Sequence, residues 1–237
     1  MKKNRRKTTT TRRPLPAWLP VAACLLASAA GARAAGHFDV DDAGTLDAGQ
    51  CQYEAWWGRT GTEPVNGQHI GPSCRVGPVE LGLNADRLSA QGAHSVTAGP
   101  QLKWNFYGPA ADAPLRAALS LGAVFDLRRG GRAGGQLVLP VTWRPADSLQ
   151  VHANLGADWA AGTGARTPRG GLAAEWALDD KVSLIAERSR ASGVWTSRVG
   201  GRFSLTPLVS VDVSTSRTGP RGVRGFVVGL NHEFGWK

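Results

Sequence analysis

The sequence predicts an all-β fold, an antiparallel up-and-down transmembrane β-barrel of about 12 strands. Three observations predict it. Apolar and polar residues alternate from about residue 50 to the end, turn residues recur between the alternating segments, and aromatic residues cluster near the predicted strand ends. No segment shows the 3.6-residue periodicity of a helix. The pattern therefore favours a bacterial outer-membrane barrel over a soluble enzyme.

Residues 1–34 are predicted to be a cleaved signal peptide. A basic stretch to Arg13 precedes an apolar run from Ala17 to Ala30, and the small residues that follow end in Ala-Arg-Ala at position 34. The apolar run is shorter than the roughly 20 residues that a transmembrane helix needs. An alternative is lipidation of Cys24, whose preceding residues resemble a lipobox. Leu25 and Leu26 continue the apolar run past it, which favours cleavage after Ala34.

The net charge of +10 suggests an acidic partner such as nucleic acid until the charges are located. Eight of the 28 Lys and Arg residues precede residue 35, where there is no Asp or Glu, so 20 basic residues remain against 18 acidic ones. The exported chain is close to neutral. A nucleic-acid partner is therefore not expected.

The clearest strand runs from Leu115 to Leu127, where every second residue is apolar. An alternation of this length is long for a soluble protein and suits a tilted membrane strand. Similar segments bring the total to about twelve, and bacterial barrels have an even number. Pro100 and Pro140 interrupt two of these strands, and Ile185 falls on a polar face, so their registers are expected to be irregular.

The connections are predicted to alternate between short periplasmic turns and longer outer loops rich in Gly and Arg. Residues 35–48 are predicted to form a short periplasmic N-terminal segment, and residues 49–237 the barrel. Loop arginines are suited to bind lipopolysaccharide phosphates, the alternative being solvated loop charge. The predicted lipopolysaccharide-facing residues are Arg129, Arg132, Arg166, Arg169, Arg217, Arg221 and Arg224.

Cys51 and Cys74 are predicted to form a disulfide, because an even pair of cysteines remains in an oxidising compartment. Their midpoint lies near Thr62 and Glu63, inside the first predicted outer loop. In a symmetric hairpin they would therefore face each other at the periplasmic end. The alternatives are two free thiols or a two-ligand metal site, and no further Cys or His lies at metal spacing.

The polar faces of the strands are predicted to line the lumen. Acids and bases are mixed there, which favours internal ion pairs over strong ion selectivity, and 12 strands enclose less space than the 16 to 18 of open porins. No loop looks long enough to form a substantial plug. The predicted lumen-lining residues are Glu54, Glu80, Asp86, Lys103, Arg116, Asp126, Arg128, His152, Asp158, Glu175, Glu187, Arg198, Arg202, Asp212 and Glu233.

These features predict a narrow passive channel or transporter for small solutes. The alternatives are a structural barrel without an open pore and a lipid-modifying barrel enzyme. An enzyme would need a nucleophile, a base and an orienting group together. Only His152 and His232 of the five histidines lie in clear strands, and no lipase-like Asn-His-Ser neighbourhood is seen. No catalytic residue, metal ligand or cofactor is predicted.

The last twelve residues, from Phe226 to Lys237, resemble the C-terminal strand of bacterial outer-membrane proteins, which ends in an aromatic residue recognised by the barrel-assembly machinery. Trp236 is followed here by Lys237, a departure from that pattern. Residues 37–54, with Val79–Leu83 and Gly99–Trp104, are similar to a group of barrels identified as transporters or phenol-degradation (MetA-pathway type) outer-membrane proteins. The resemblance implies a barrel in the outer membrane, in contact with lipid and lipopolysaccharide.

Overall fold

The computed structural model describes residues 37–61, 65–110 and 112–236, so the predicted signal peptide lies outside the described residues. Each strand pairs antiparallel with its neighbours in sequence, and the last pairs with the first. This closed barrel confirms the predicted fold. The strands are β1 (Gln50–Thr60), β2 (Val65–Val76), β3 (Val79–Ala90), β4 (Ala93–Tyr107), β5 (Leu115–Asp126), β6 (Arg132–Ala146), β7 (Leu149–Ala160), β8 (Arg166–Ala177), β9 (Val182–Ala191), β10 (Val194–Thr206), β11 (Val209–Thr218) and β12 (Val223–Gly235).

The strands expose their apolar faces and bury their polar faces. In β7, Leu155 is 71% exposed, whereas its neighbour Asn154 is 4% exposed. In β5, Leu121 is exposed and Ser120 is fully buried. A soluble protein does the reverse, because burial of apolar surface drives its folding. The outer surface of this barrel therefore suits hydrocarbon, and its interior suits water and polar groups. Within the described residues, no helix is long and apolar enough to cross a membrane.

Aromatic side chains form a ring near each end of the apolar surface. We call the end that carries both chain ends of the barrel the periplasmic end, following the orientation predicted from the sequence. Trp104, Trp143 and Trp176 lie exposed near that end, and Trp57 and Trp195 lie exposed near the outer end. Aromatic residues take this arrangement at the two interfaces of a bilayer, where the ring is apolar and its polar group contacts water.

The predicted disulfide between Cys51 and Cys74 is present. The two residues face each other across β1 and β2, with a Cα–Cα distance of 4.0 Å. They lie at the start of β1 and near the end of β2, which is the periplasmic end. This is the position predicted for two cysteines in a symmetric hairpin.

The prolines inside strands interrupt pairing on one side only. Pro140 pairs with Asn154 of β7, while the pairing of β6 with β5 passes from Val141 to Val138. Pro100 likewise pairs with Leu83 of β3, and the pairing of β4 with β5 skips it. Proline has no backbone N–H to donate, so it cannot complete the hydrogen bonds to both neighbouring strands. It can still pair with one of them.

The predicted contrast in loop length is wrong. At the outer end, β3 turns into β4 through Gln91 and Gly92 alone, and β9 into β10 through Ser192 and Gly193 alone. All four residues have positive φ, between 48° and 81°, as in two-residue turns that match the twist of a hairpin. The strands extend through segments that were predicted to be loops. The Gly and Arg content of these segments reflects tight turns and outward-facing strand ends.

Residues 37–46 lie inside the barrel, not in the periplasm as predicted for residues 35–48, whereas Asp47 and Ala48 are exposed. Phe38 and Val40 are each 1% exposed, and Ala43 is fully buried. We call residues 37–46 the lumen segment. It precedes β1 and is not one of the loops between strands, which were predicted to be too short to form a substantial plug. The physical reason for its position is a set of ion pairs and hydrogen bonds with the inner wall.

We expect the cost of an outward-facing charge to depend on its depth. Leu155→Arg, near the middle of β7, should lower the free energy of unfolding in lipid vesicles by about 2–4 kcal/mol. Leu205→Arg, at the periplasmic end of β10, is a matched control that should cost about 0–1 kcal/mol. Urea titration in vesicles measures both. Equal losses of unfolding free energy at the two positions would contradict the depth at which these residues are placed in the membrane.

Candidate functional site

The inner wall carries the polar side chains predicted to line the lumen. Eight of the fifteen are buried, six are half-buried, and Arg128 is exposed in the turn after β5. The buried group is Glu54, Glu80, Asp86, Lys103, His152, Glu187, Arg198 and Asp212. The half-buried group is Arg116, Asp126, Asp158, Glu175, Arg202 and Glu233.

The first part of the lumen segment binds to β9 and β10 near mid-height. Glu187 accepts the backbone N–H groups of Asp39 and Val40 at 3.1 and 2.9 Å. Arg198 lies 3.2 Å from both Asp39 and Glu187. One arginine thus joins an acid of the segment to an acid of the wall. Hydrogen bonds to charged groups are stronger than neutral ones, so this contact anchors the segment.

The middle of the lumen segment binds to β4. The Lys103 ammonium donates to Asp41 at 3.0 Å and lies 3.9 Å from Asp42. Asn105 donates to the Ala43 carbonyl at 2.6 Å. Lys103 is 1% exposed, so its charge depends on these two carboxylates. A buried lysine without such partners would be strongly destabilising.

The last part of the segment descends to the periplasmic rim. The Ala43 N–H donates to Thr142 of β6 at 2.8 Å, and the Leu46 N–H donates to Glu80 of β3 at 3.1 Å. Arg75 of β2 donates to the Leu46 carbonyl at 2.8 Å. The segment therefore contacts strands on opposite sides of the barrel before the chain enters β1. It occupies the lumen from mid-height to the periplasmic end.

Apolar contacts support the same position. Phe38 packs on Ile185 of β9, and both side chains are buried. This contact explains why an isoleucine faces a polar lumen, the feature that disagreed with the strand pattern. A Cβ at Gly171 of β8 would lie 2.7 Å from a methyl of Val40, so the glycine makes room for the segment.

Further ion pairs join strands across the inner wall. Arg202 donates to Asp212 at 2.9 Å, and Arg169 donates to Asp158 at 2.7 Å. Arg169 was predicted to face lipopolysaccharide from a loop, and that prediction is wrong. It lies in β8, is 8% exposed, and points inward because it has the same strand parity as Ala173, which is also buried. These ion pairs lower the number of uncompensated charges that face the lumen.

The other six arginines predicted to face lipopolysaccharide are exposed near the outer end. They are Arg129, Arg132, Arg166, Arg217, Arg221 and Arg224. Four of the six lie in strands and not in loops, which follows from the extension of β6, β8, β11 and β12. Their contact with lipopolysaccharide stays a prediction.

The outer part of the lumen contains a cavity of about 810 Å³. Its lining includes Asp126, Arg128, Asp158 and Trp159 from the outer ends of β5 to β7. A second, smaller cavity of about 110 Å³ lies on the other side of the outer lumen and is lined partly by the lumen segment. The larger cavity has room for a small organic molecule and offers both polar and aromatic contacts.

The sequence matches, over residues 22–218, the family described as "Uncharacterised conserved protein UCP029691". The chain belongs to this family. A comparison with curated protein sequences gave no match.

Solved porin structures share the fold of this family member. The KdgM porin in complex with disordered oligogalacturonate superposes with a TM-score of 0.57 at 10% identity, over 78% of this chain and 99% of that chain. The NanC porin in a rhombohedral crystal form gives 0.55 at 9% identity, over 76% of this chain and 98% of that chain. The fold is therefore that of outer-membrane β-barrels.

We expect Lys103 to be essential for holding the lumen segment. Lys103→Met leaves the buried Asp41 and the half-buried Asp42 without this cation and should lower the free energy of unfolding by about 3–5 kcal/mol. Neutralising the two acids as well, in Lys103→Met with Asp41→Asn and Asp42→Asn, should recover much of that loss. Lys181→Met, in an exposed periplasmic turn, is the control. Equal denaturation midpoints for Lys103→Met and the control would contradict this role.

Proposed function

We propose that the protein is a narrow outer-membrane channel for small solutes, in which the lumen segment forms the constriction. The single observation that carries this proposal is the position of that segment inside a polar lumen. On its outer side lies a cavity of about 810 Å³, and on its periplasmic side the chain continues into β1. A solute that enters from outside would meet the segment before it reached the periplasm.

Small solutes without a strong net charge fit the outer cavity best. Asp126 accepts the backbone N–H groups of Arg128 and Arg129, each at 2.9 Å. Asp158 accepts bonds from Arg169 and from the Ser192 N–H. Asp158 is thus paired with a guanidinium group, and Arg128 and Arg129 line the cavity together with Asp126, so the cavity does not present one dominant charge. Hydroxyl and amide groups of a solute are suited to exchange bonds with such a wall.

The contacts of the segment are of a kind that water is able to replace. Most are hydrogen bonds and ion pairs. Its apolar contacts are fewer: Phe38 packs on Ile185, and Val40, Ala43 and Leu46 are also buried. Polar contacts of this type exchange with water at little net cost, whereas an apolar core does not. The segment is therefore suited to shift within the lumen or to leave it. Either movement would widen the path.

The second candidate function is a structural barrel without an open pore. The bonds that join the segment to β3, β4, β6 and β9 favour it, because they brace opposite walls of the lumen. We propose no catalytic activity. His152 lies in the lumen, 2.9 Å from Thr142, where lipid substrates do not reach it. We also propose that β12, with exposed Trp236 after it, is recognised by the barrel-assembly machinery.

We expect removal of the segment to raise conductance. Deletion of residues 37–46 should increase single-channel conductance in planar bilayers severalfold, because the chain that fills the lumen is gone. A milder variant, Asp39→Asn with Asp41→Asn and Asp42→Asn, should conduct intermittently, since the docking charges are lost while the chain remains. Arg87→Gln, at an exposed position of β3 outside the large cavity, is the control for altered charge.

The outcomes separate the candidate functions. Equal conductance of the intact and shortened proteins would contradict a constriction at the segment. Silent bilayers for both would contradict a channel and favour the structural barrel. Deacylation of added lipid by the silent protein would instead indicate an enzyme.

A further inference from the structure

Four arginines lie close together on the outward face of the barrel near its outer end. They are Arg188 and Arg190 of β9, Arg217 of β11 and Arg224 of β12, and we call them the arginine face. Their strand neighbours Glu187, Ser189, Ser216 and Thr218 are buried in the lumen. Because side chains alternate along a strand, the arginines point away from the lumen.

Strand pairing places three of them in one row. Ser197 of β10 is opposite Arg188 on one side and opposite Arg217 on the other, and Arg217 is opposite Arg224. Neighbouring strands are about 4.8 Å apart, so the row from Arg188 to Arg224 spans about 14 Å. Arg190 lies two residues beyond Arg188 toward the outer end. The row is wide enough to contact more than one phosphate group.

The depth of the arginine face matches the headgroup level of the outer leaflet. Toward the periplasm, the same surface exposes Leu184, Val199 and Phe226. Trp195, of the outer aromatic ring, lies beside the arginines, with the Arg188 guanidinium carbon 5.0 Å from its ring. Aromatic rings of this kind mark the interface between hydrocarbon and headgroups. The arginines therefore begin where the apolar surface ends.

Among the described residues, no carboxylate balances the charge of the arginine face. The described outward-facing residues of β9 to β12 include no Asp or Glu, and none of the four arginines pairs with a described carboxylate. Arg188 donates to the Ser197 hydroxyl at 2.8 Å. Arg190 Nε is buried and has no acceptor among the described residues. Like charges in opposite strand positions are unfavourable unless an anion binds between them.

We propose that the arginine face binds the phosphate groups of lipopolysaccharide in the outer leaflet. The planar guanidinium group donates two parallel hydrogen bonds to a phosphate, and three such groups stand in a row here. The apolar surface directly below contacts the acyl chains of the same molecule. The site lies on the strands of one side of the barrel, and its occupancy is independent of whether the lumen conducts.

The test compares lipopolysaccharide binding by three purified proteins. They are the unaltered protein, the triple variant Arg188→Gln, Arg217→Gln and Arg224→Gln, and the control Arg87→Gln, which removes an exposed arginine from β3. Native mass spectrometry in detergent measures bound lipopolysaccharide with and without its lipid phosphates. The triple variant should lose about tenfold or more in affinity, since each lost charged hydrogen bond weakens binding. The control should bind normally.

Two further arms identify the ligand. Dephosphorylated lipopolysaccharide should bind the unaltered protein as weakly as phosphorylated lipopolysaccharide binds the triple variant. Inorganic phosphate should not displace the lipid, because it lacks the acyl contacts. Normal binding by a folded triple variant, or normal binding of the dephosphorylated lipid, would overturn the proposal. Displacement by inorganic phosphate would overturn the assignment to a lipid. A gel shift on heating checks that each variant is folded.

Discussion

The constraint on which this structure depends is that hydrocarbon offers no partner to a backbone N–H or C=O group. Closure of β1 on β12 leaves no open sheet edge, and it fixes which side chains face lipid. Leu155 and Asn154 illustrate the result, since adjacent residues differ from 71% to 4% exposed. Every polar side chain that the alternation turns inward must then find a partner in the lumen.

The lumen segment supplies many of those partners. Lys103 and Arg198 of the wall meet acids of the segment, and Glu187 accepts its backbone N–H groups. The segment and the wall thus neutralise each other's charges. Water in a lumen of this width would compensate those charges less completely. The same contacts that stabilise the interior also narrow it. Stability and permeability are therefore linked through one short stretch of chain.

The sequence predicted the strands and the Cys51–Cys74 disulfide because alternation and hairpin symmetry are local properties. It did not predict the position of residues 37–46, whose acids look solvated until the cations of distant strands are placed opposite them. The same limit applies to Arg169, which lies in a Gly-rich stretch that resembles a loop. Ile185 was the one residue whose position in the strand pattern pointed to the lumen segment. An apolar residue on a polar face indicated that something apolar, here Phe38, would cover it.

The central claim is that neighbouring residues of one strand face lipid and lumen in turn, and Trp56 and Trp57 test it most directly. Two variants, each keeping one of these tryptophans and replacing the others by Phe, are folded into vesicles of lipids brominated on their acyl chains. Trp57 is 42% exposed, and Trp56 stacks on the buried His69 with ring centroids 5.4 Å apart. We expect strong quenching of Trp57 fluorescence and weak quenching of Trp56. Equal quenching of both would contradict the account.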